Sequence, residues 1–106
     1  MQIASEIYTY GFKKRKLDKI MSKIKKMKKV SGLYLIVMPL FNDGIMEIYE
    51  YRQMLQPYYR SRWDDIIVLG ITGSIAEAKL IVLKIVQDLY DAHLDFNVGE
   101  YFKVQG

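Results

Sequence analysis

The chain has 106 residues, of which sixteen are basic and twelve acidic, and its formal net charge is +4. This length suits one domain with a single core, and a hydrophobic content of 51% excludes an intrinsically disordered chain. The lack of cysteine excludes disulfides and thiolate chemistry, and a single histidine excludes the usual zinc sites and gives no support to a histidine-based triad.

The sequence also lacks the patterns of membrane insertion and secretion. No apolar run reaches the length that a bilayer span requires, and residues 1–6 lack the basic start and apolar stretch of a secretory signal. We therefore expect a cytoplasmic protein that folds as one domain over residues 1–106. Within it, we expect residues 1–11 to form a flexible or edge-strand arm, residues 12–30 a basic amphipathic helix and residues 32–103 an α+β body.

The first segment, residues 3–10, shows only a weak alternation of apolar and polar side chains. Ile3 and Ile7 fall on one side of an extended chain, but Tyr8 and Tyr10 fall on the other, so the two faces do not separate cleanly. The pattern is consistent with an edge strand, a flexible arm or a helical lead-in. Gly11 interrupts it.

The second segment has the most unusual composition, with ten basic residues and one acid, Asp18, between residues 13 and 29. Because few acids are available for pairing, the lysines repel one another along the helix, which needs either a docked apolar face or an anionic partner. Ser31 and Gly32 are predicted to end the helix. The apolar positions, spaced as on one helical face, are Leu17, Ile20, Met21, Ile24 and Met27.

The next residues predict a hairpin followed by a long connection. The apolar run 33–38 predicts a central strand, residues 42–44 (Asn-Asp-Gly) a tight turn, and the alternation over 45–51 a half-exposed antiparallel partner. Residues 52–64 are irregular, and Pro57 disfavours helical geometry at the residue before it. We expect one helical turn before this proline and an extended chain after it.

Residues 65–90 predict a buried strand, a glycine turn and a long helix. The run 66–71 is continuously apolar, and Ser74 precedes Glu77 by the spacing of a capping box. The helix carries more apolar residues than contact with a sheet can bury, because Ala76, Leu80 and Leu83 widen its apolar arc. We expect either the apolar face of the basic helix or a second copy of the chain to cover them.

The basic helix is the leading candidate for a functional site. Its +9 excess is larger than solubility requires and suits the phosphate backbone of a nucleic acid. An anionic membrane surface and a solvated basic face without a partner are the alternatives. The residues of the proposed polyanion-binding site are Lys13, Lys14, Arg15, Lys16, Lys19, Lys23, Lys26, Arg60 and Arg62.

The two arginines belong to a loop that mixes aromatic and cationic side chains. Such a mixture can hold single-stranded nucleic acid by stacking bases on aromatic rings, with arginine on the backbone. The alternative is that Tyr58 and Trp63 are packing anchors, and that Arg60 and Arg62 are solvated or paired with neighbouring acids.

Other chemistries have little support in the sequence. Residues 70–74 bring backbone N–H groups to a helix N-terminus, but they lack the dinucleotide and P-loop spacings, and Glu77 would repel an anion. His93 lies after a helix C-terminus, where the helix dipole favours a cation. We expect no catalytic residue, no metal site and no cofactor.

From Gly32 onward the order of segments resembles a group of small uncharacterised bacterial α+β domains. The residues that carry the resemblance are 33–38, the sequence Leu-Gln-Pro-Tyr-Tyr at 55–59, 68–70 and 77–78. It covers about two thirds of the chain and leaves out the basic helix. The resemblance implies the order of elements and no activity.

These patterns together predict an α+β fold built as a two-layer sandwich. Its small, mostly antiparallel sheet has three or four strands, and both main helices lie on one face. The strand at Ile66 should be central and the strand at Ile45 near an edge. The expected function is non-catalytic binding of a polyanion such as nucleic acid through the basic helix. The alternative is an assembly subunit that forms a homodimer or partner complex through Ala76, Leu80 and Leu83.

Overall fold

The structure is a computed structural model that describes residues 1–39 and 46–92. Its strands are β1 (Gln2–Thr9), β2 (Tyr34–Val37), β3 (Glu47–Glu50) and β4 (Ile67–Thr72). Its α-helices are α1 (Lys14–Lys25), α2 (Pro57–Arg60) and α3 (Ile75–Asp91), and single turns of 3-10 helix occur at Tyr51–Leu55 and Trp63–Asp65. Within these ranges, no helix has the length and apolar character needed to cross a membrane.

The four strands form one mixed sheet in the order β1-β4-β2-β3. β4 is parallel to β1 and antiparallel to β2, and β2 pairs with β3 in an antiparallel hairpin. The α+β class is therefore confirmed, with β4 central and β3 at an edge as expected. The turn predicted at residues 42–44 and the segment around His93 lie outside the described residues.

The helices lie on both faces of this sheet, so their predicted placement on one face is wrong. Successive residues of a strand point to opposite faces. In β2, Leu35 and Val37 belong to a core that includes Leu17, Ile20 and Ile24 of α1, whereas Ile36 belongs to a core formed with α3. The continuously apolar β4 serves both cores in the same way. Such a strand needs a covering layer on each side, which explains a three-layer arrangement.

α1 ends earlier than its lysine-rich sequence predicts. Lys26 is the C-cap, and Met27 takes a left-handed conformation with φ of 54°. The N–H of Met27 donates to the carbonyl of Ile24 and the N–H of Lys28 to that of Lys23, both at 3.0 Å. This is the hydrogen-bond pattern of a Schellman motif, and it terminates the helix before Ser31 and Gly32.

The connection between β3 and β4 is helical on both sides of Pro57, which corrects the expectation of an extended chain. Gln56 is extended, as the following proline requires, and Pro57 occupies the first position of α2, where its missing N–H costs no hydrogen bond. The ring of Tyr51 is fully buried, and its hydroxyl donates to the Lys28 carbonyl at 2.6 Å. This bond ties the connection to the segment that follows α1.

The start of α3 has the predicted serine cap, and the Glu77 side chain turns back toward it. The Ser74 hydroxyl accepts a hydrogen bond from the Glu77 N–H at 3.1 Å, and one Glu77 carboxylate oxygen accepts from the Thr72 and Ser74 hydroxyls. In β4, a β-carbon at Gly70 would lie 3.1 Å from side-chain atoms of both Ile36 and Ile81. The glycine is therefore explained by close packing under α3.

A half-buried polar cluster joins β1, at the edge of the sheet, to α3. Tyr8 donates a hydrogen bond to Asp88 Oδ2, and Lys84 Nζ lies 2.9 Å from Asp88 Oδ1. The hydrogen bond from Tyr8 is the main cause that lowers the pKa of the Asp88 carboxyl below its ordinary value. Partial burial opposes this shift, and Lys84 adds to it.

We expect Asp88→Asn to destabilise the protein at neutral pH and to have much less effect in acid. A carboxyl with a lowered pKa in the folded state stabilises that state above its unfolded pKa of about 3.9, and this contribution is lost as the pH falls through the folded value. Urea unfolding of both proteins at about pH 7 and about pH 3 measures the difference. If the variant loses the same stability at both pH values, the charge of Asp88 does not have this role. Asp18→Asn, at an exposed acid, is the control.

Candidate polyanion-binding surface

The basic side chains of α1 are presented on its outer face. Leu17, Ile20 and Ile24 point into the core between α1 and the sheet, which fixes the rotation of the helix about its axis. The side chains predicted to bind a polyanion are therefore turned to solvent. Those that are exposed on or beside the helix are Lys13, Lys14, Arg15, Lys16, Lys19, Lys23 and Lys26.

This positive charge is not neutralised by other described residues. None of the ten basic side chains between residues 13 and 29 forms an ion pair with another described residue, although the Lys16 ammonium lies 5.3 Å from the centre of the Phe12 ring. The first turn of α1 contains no acid, and its N-cap residue makes no side-chain capping bond. The helix dipole therefore adds to the positive charge at this end.

The connection that carries Arg60 and Arg62 covers the same face of the sheet as α1. Tyr51, Met54 and Trp63 from this segment belong to the same core as the buried residues of α1. Arg60 and Arg62 are both exposed. α1 and this connection therefore cover one face of the sheet, and all nine predicted polyanion-binding residues are exposed.

Three tyrosines and an arginine form a row that runs from β3 onto this connection. The rings of Tyr49 and Tyr59 meet edge to face with centroids 5.6 Å apart, and those of Tyr58 and Tyr59 are 5.4 Å apart. The Arg62 guanidinium lies 5.9 Å from the Tyr58 ring. Burial, with help from Glu47, raises the pKa of Tyr49 from its ordinary value to about 12.

The two aromatic residues predicted to act alike have different environments. Trp63 is only 7% exposed and is a packing anchor, as the alternative interpretation proposed. Tyr58 is 58% exposed, so its ring offers a surface on which a base can stack. Tyr49 was not among the predicted site residues. The alternation over residues 45–51 did not indicate a partner for it, and only the fold shows that Tyr59 packs against it.

The turn after β4 is closed to a ligand by the chain itself. Ser74 and Glu77 occupy the N-terminus of α3 with their own hydrogen bonds, and the Glu77 carboxylate places negative charge where an anion would bind. The glycine-containing turn therefore functions as a helix cap.

The predicted interface residues lie on the side of α3 that faces away from the sheet. Leu80 is 49% exposed, Leu83 is 66% exposed, and Ala76 is also exposed. Because α1 lies on the opposite face of the sheet, its apolar side cannot cover them. The sequence analysis expected either the basic helix or a second copy of the chain to cover these residues, and the structure excludes the basic helix.

Across residues 1–39 and 46–92, no three His, Cys, Asp or Glu side chains are grouped so that they could hold a metal ion. Comparisons of the chain with protein-family models, curated proteins and solved structures find no match.

Proposed function

We propose that this protein is a non-catalytic module that binds nucleic acid through the outer face of α1 together with the α2 connection. The observation that carries the proposal is the row of exposed basic side chains on α1, which no described acid neutralises. Lysine and arginine side chains that replace condensed counterions on a phosphate backbone supply most of the affinity in non-specific binding.

A nucleic acid fits this surface better than a membrane does. Helices that lie on a bilayer bury their apolar face among the lipid chains. In α1 that face consists of Leu17, Ile20 and Ile24, which are already packed in the core. The exposed Tyr58 ring beside Arg62 adds a stacking position that a lipid head group does not use.

The proposal includes a preference for single strands and a cytoplasmic location. A single strand exposes the faces of its bases to Tyr58, whereas a duplex keeps those faces stacked on one another. The cytoplasm is where such a module would meet its ligand in a bacterial cell, the setting that the resemblance of the body implies.

Titration of a labelled single-stranded oligonucleotide at a series of salt concentrations tests this function. We expect log K to fall linearly with log salt, and roughly five phosphate contacts would give a slope of about −3.5. A duplex of the same length should bind more weakly. Vesicles with anionic lipids serve as the comparison surface. No binding of the oligonucleotide at low salt, or tighter binding to vesicles, would refute the proposal.

A further inference from the structure

The outward side of α3 carries a regular seam that is apolar at four of its five positions. Its residues follow one another at intervals of four, three, four and three, which is the spacing of the core positions in a coiled coil. All five are exposed, although α3 is otherwise packed against the sheet. The seam residues are Ala76, Leu80, Leu83, Gln87 and Tyr90.

The seam is complementary to itself when two copies of α3 run antiparallel. A two-fold axis that passes between Leu80 and Leu83 places Leu80 of each copy against Leu83 of the other. The same axis brings the small Ala76 opposite Gln87. Two leucine layers then lie at the centre, with a smaller layer at each end, as in a short antiparallel coiled coil.

The charges beside the seam agree with this register. In an antiparallel pair, the flanking position occupied by Glu77 faces the one occupied by Lys84 of the other copy, and two such opposite-charge contacts form. One oxygen of Glu77 is held in the cap of α3, and the other, Oε2, lies beside Gly11. The side chain of Lys84 pairs with Asp88 of its own helix and is 64% exposed. A parallel pair would not bring Glu77 of one copy to Lys84 of the other.

We propose that a second copy of this chain docks antiparallel on α3, and that the dimer joins two segments of nucleic acid. α1 and α3 lie on opposite faces of the sheet, so contact through α3 leaves the two α1 surfaces on opposite outer sides of the dimer. The joining step rests on the proposed function, whereas the docking of α3 does not. A helix pair of this length is smaller than a standard interface, so the dimer forms in about the micromolar range.

Cysteine cross-linking tests the register directly, because the chain contains no cysteine of its own. An antiparallel pair brings position 80 of one copy close to position 83 of the other, within reach of a disulfide. We expect an equal mixture of Leu80→Cys and Leu83→Cys to cross-link faster than either variant alone. Equal rates, or no cross-linking in any sample, would overturn the antiparallel seam.

Sedimentation of the full chain over a range of concentrations tests the dimer itself. Leu80→Gln with Leu83→Gln should make the protein monomeric. Its unfolding temperature should equal that of the parent chain diluted until it too is monomeric, because both side chains are exposed in one copy. Ile75→Gln, at an exposed apolar residue of α3 outside the seam, should leave the dimer intact. A monomeric parent chain would overturn the proposal. So would an unfolding temperature of the seam variant that lies well below that of the dilute, monomeric parent, which would show that the chain covers its own seam.

Energy transfer between two oligonucleotides, one with a donor and one with an acceptor dye, tests the joining of two segments. The parent protein should bring the dyes together, and Leu80→Gln with Leu83→Gln should abolish the transfer while each oligonucleotide still binds. Variants in which lysines on the outer face of α1 are replaced by glutamate should no longer bind the oligonucleotides but should remain dimeric. These patterns distinguish failure of the dimer from failure of the nucleic-acid function. Unchanged transfer in the seam variant would overturn the joining step.

Discussion

Replacing Lys23 and Lys26 by glutamate should weaken binding to a single-stranded oligonucleotide about a hundredfold at low salt. Each phosphate contact contributes about a tenfold factor under these conditions, because it releases a condensed counterion. Both side chains are exposed near the C-terminus of α1 and form no ion pair with a described residue, so their reversal should not disturb the core. Fluorescence anisotropy measures the affinity, and the salt slope should become shallower by about 0.7 for each contact removed.

A matched pair of single variants separates this local effect from a change in net charge. Lys23→Glu and Lys79→Glu alter the net charge equally, but Lys79 lies on α3, across the sheet from the basic face. We expect about a tenfold loss for Lys23→Glu and little change for Lys79→Glu. Equal losses would mean that overall charge, and no particular surface, governs binding. The loss should also be similar for oligonucleotides of different sequence, because phosphate contacts do not read bases.

Trp63→Ala should lower the free energy of unfolding by about 3–5 kcal/mol, the largest effect that we expect from one substitution outside the basic face. The indole is nearly buried in the core that holds α1 and the α2 connection against the sheet. Its removal leaves a cavity that the surrounding side chains fill only in part. Urea unfolding followed by circular dichroism measures the change.

Tyr58→Ala is the natural comparison, because it removes an aromatic ring from the same connection without opening a cavity in the core. It should change the unfolding free energy little but weaken single-strand binding by about 1–3 kcal/mol through the loss of stacking. A Trp63→Ala variant of parental stability, or a Tyr58→Ala variant of parental affinity, would contradict these roles.

The local features of the fold were predictable because they depend on short spacings. The positions of Leu17, Ile20 and Ile24 predicted the face that α1 buries, and the spacing of Ser74 and Glu77 predicted the cap of α3. The end of α1 was not predictable in this way, because it depends on a left-handed Met27 where glycine is usual.

The arrangement of the helices depends on long-range pairing, which local patterns do not contain. The continuous apolar run of β4 indicated burial on both sides, but it did not tell which helix covers which side. That distribution leaves Leu80 and Leu83 exposed. Of the candidate site, the basic residues of α1 followed from composition. The row formed by Tyr49, Tyr59 and Tyr58 needed the fold, because it joins β3 to a helix beyond Pro57.

The central position of β4 has a consequence for how the protein folds. β4 is the last of the four described strands in the chain, yet it lies between β1 and β2, and Gln2 pairs with Ile67. Until β4 is synthesised, β1 has no neighbour in the sheet, and the β2–β3 hairpin is too small to be stable alone. Closing so long a loop is slow. The protein should therefore acquire its structure in one late, cooperative step, with no stable amino-terminal portion beforehand.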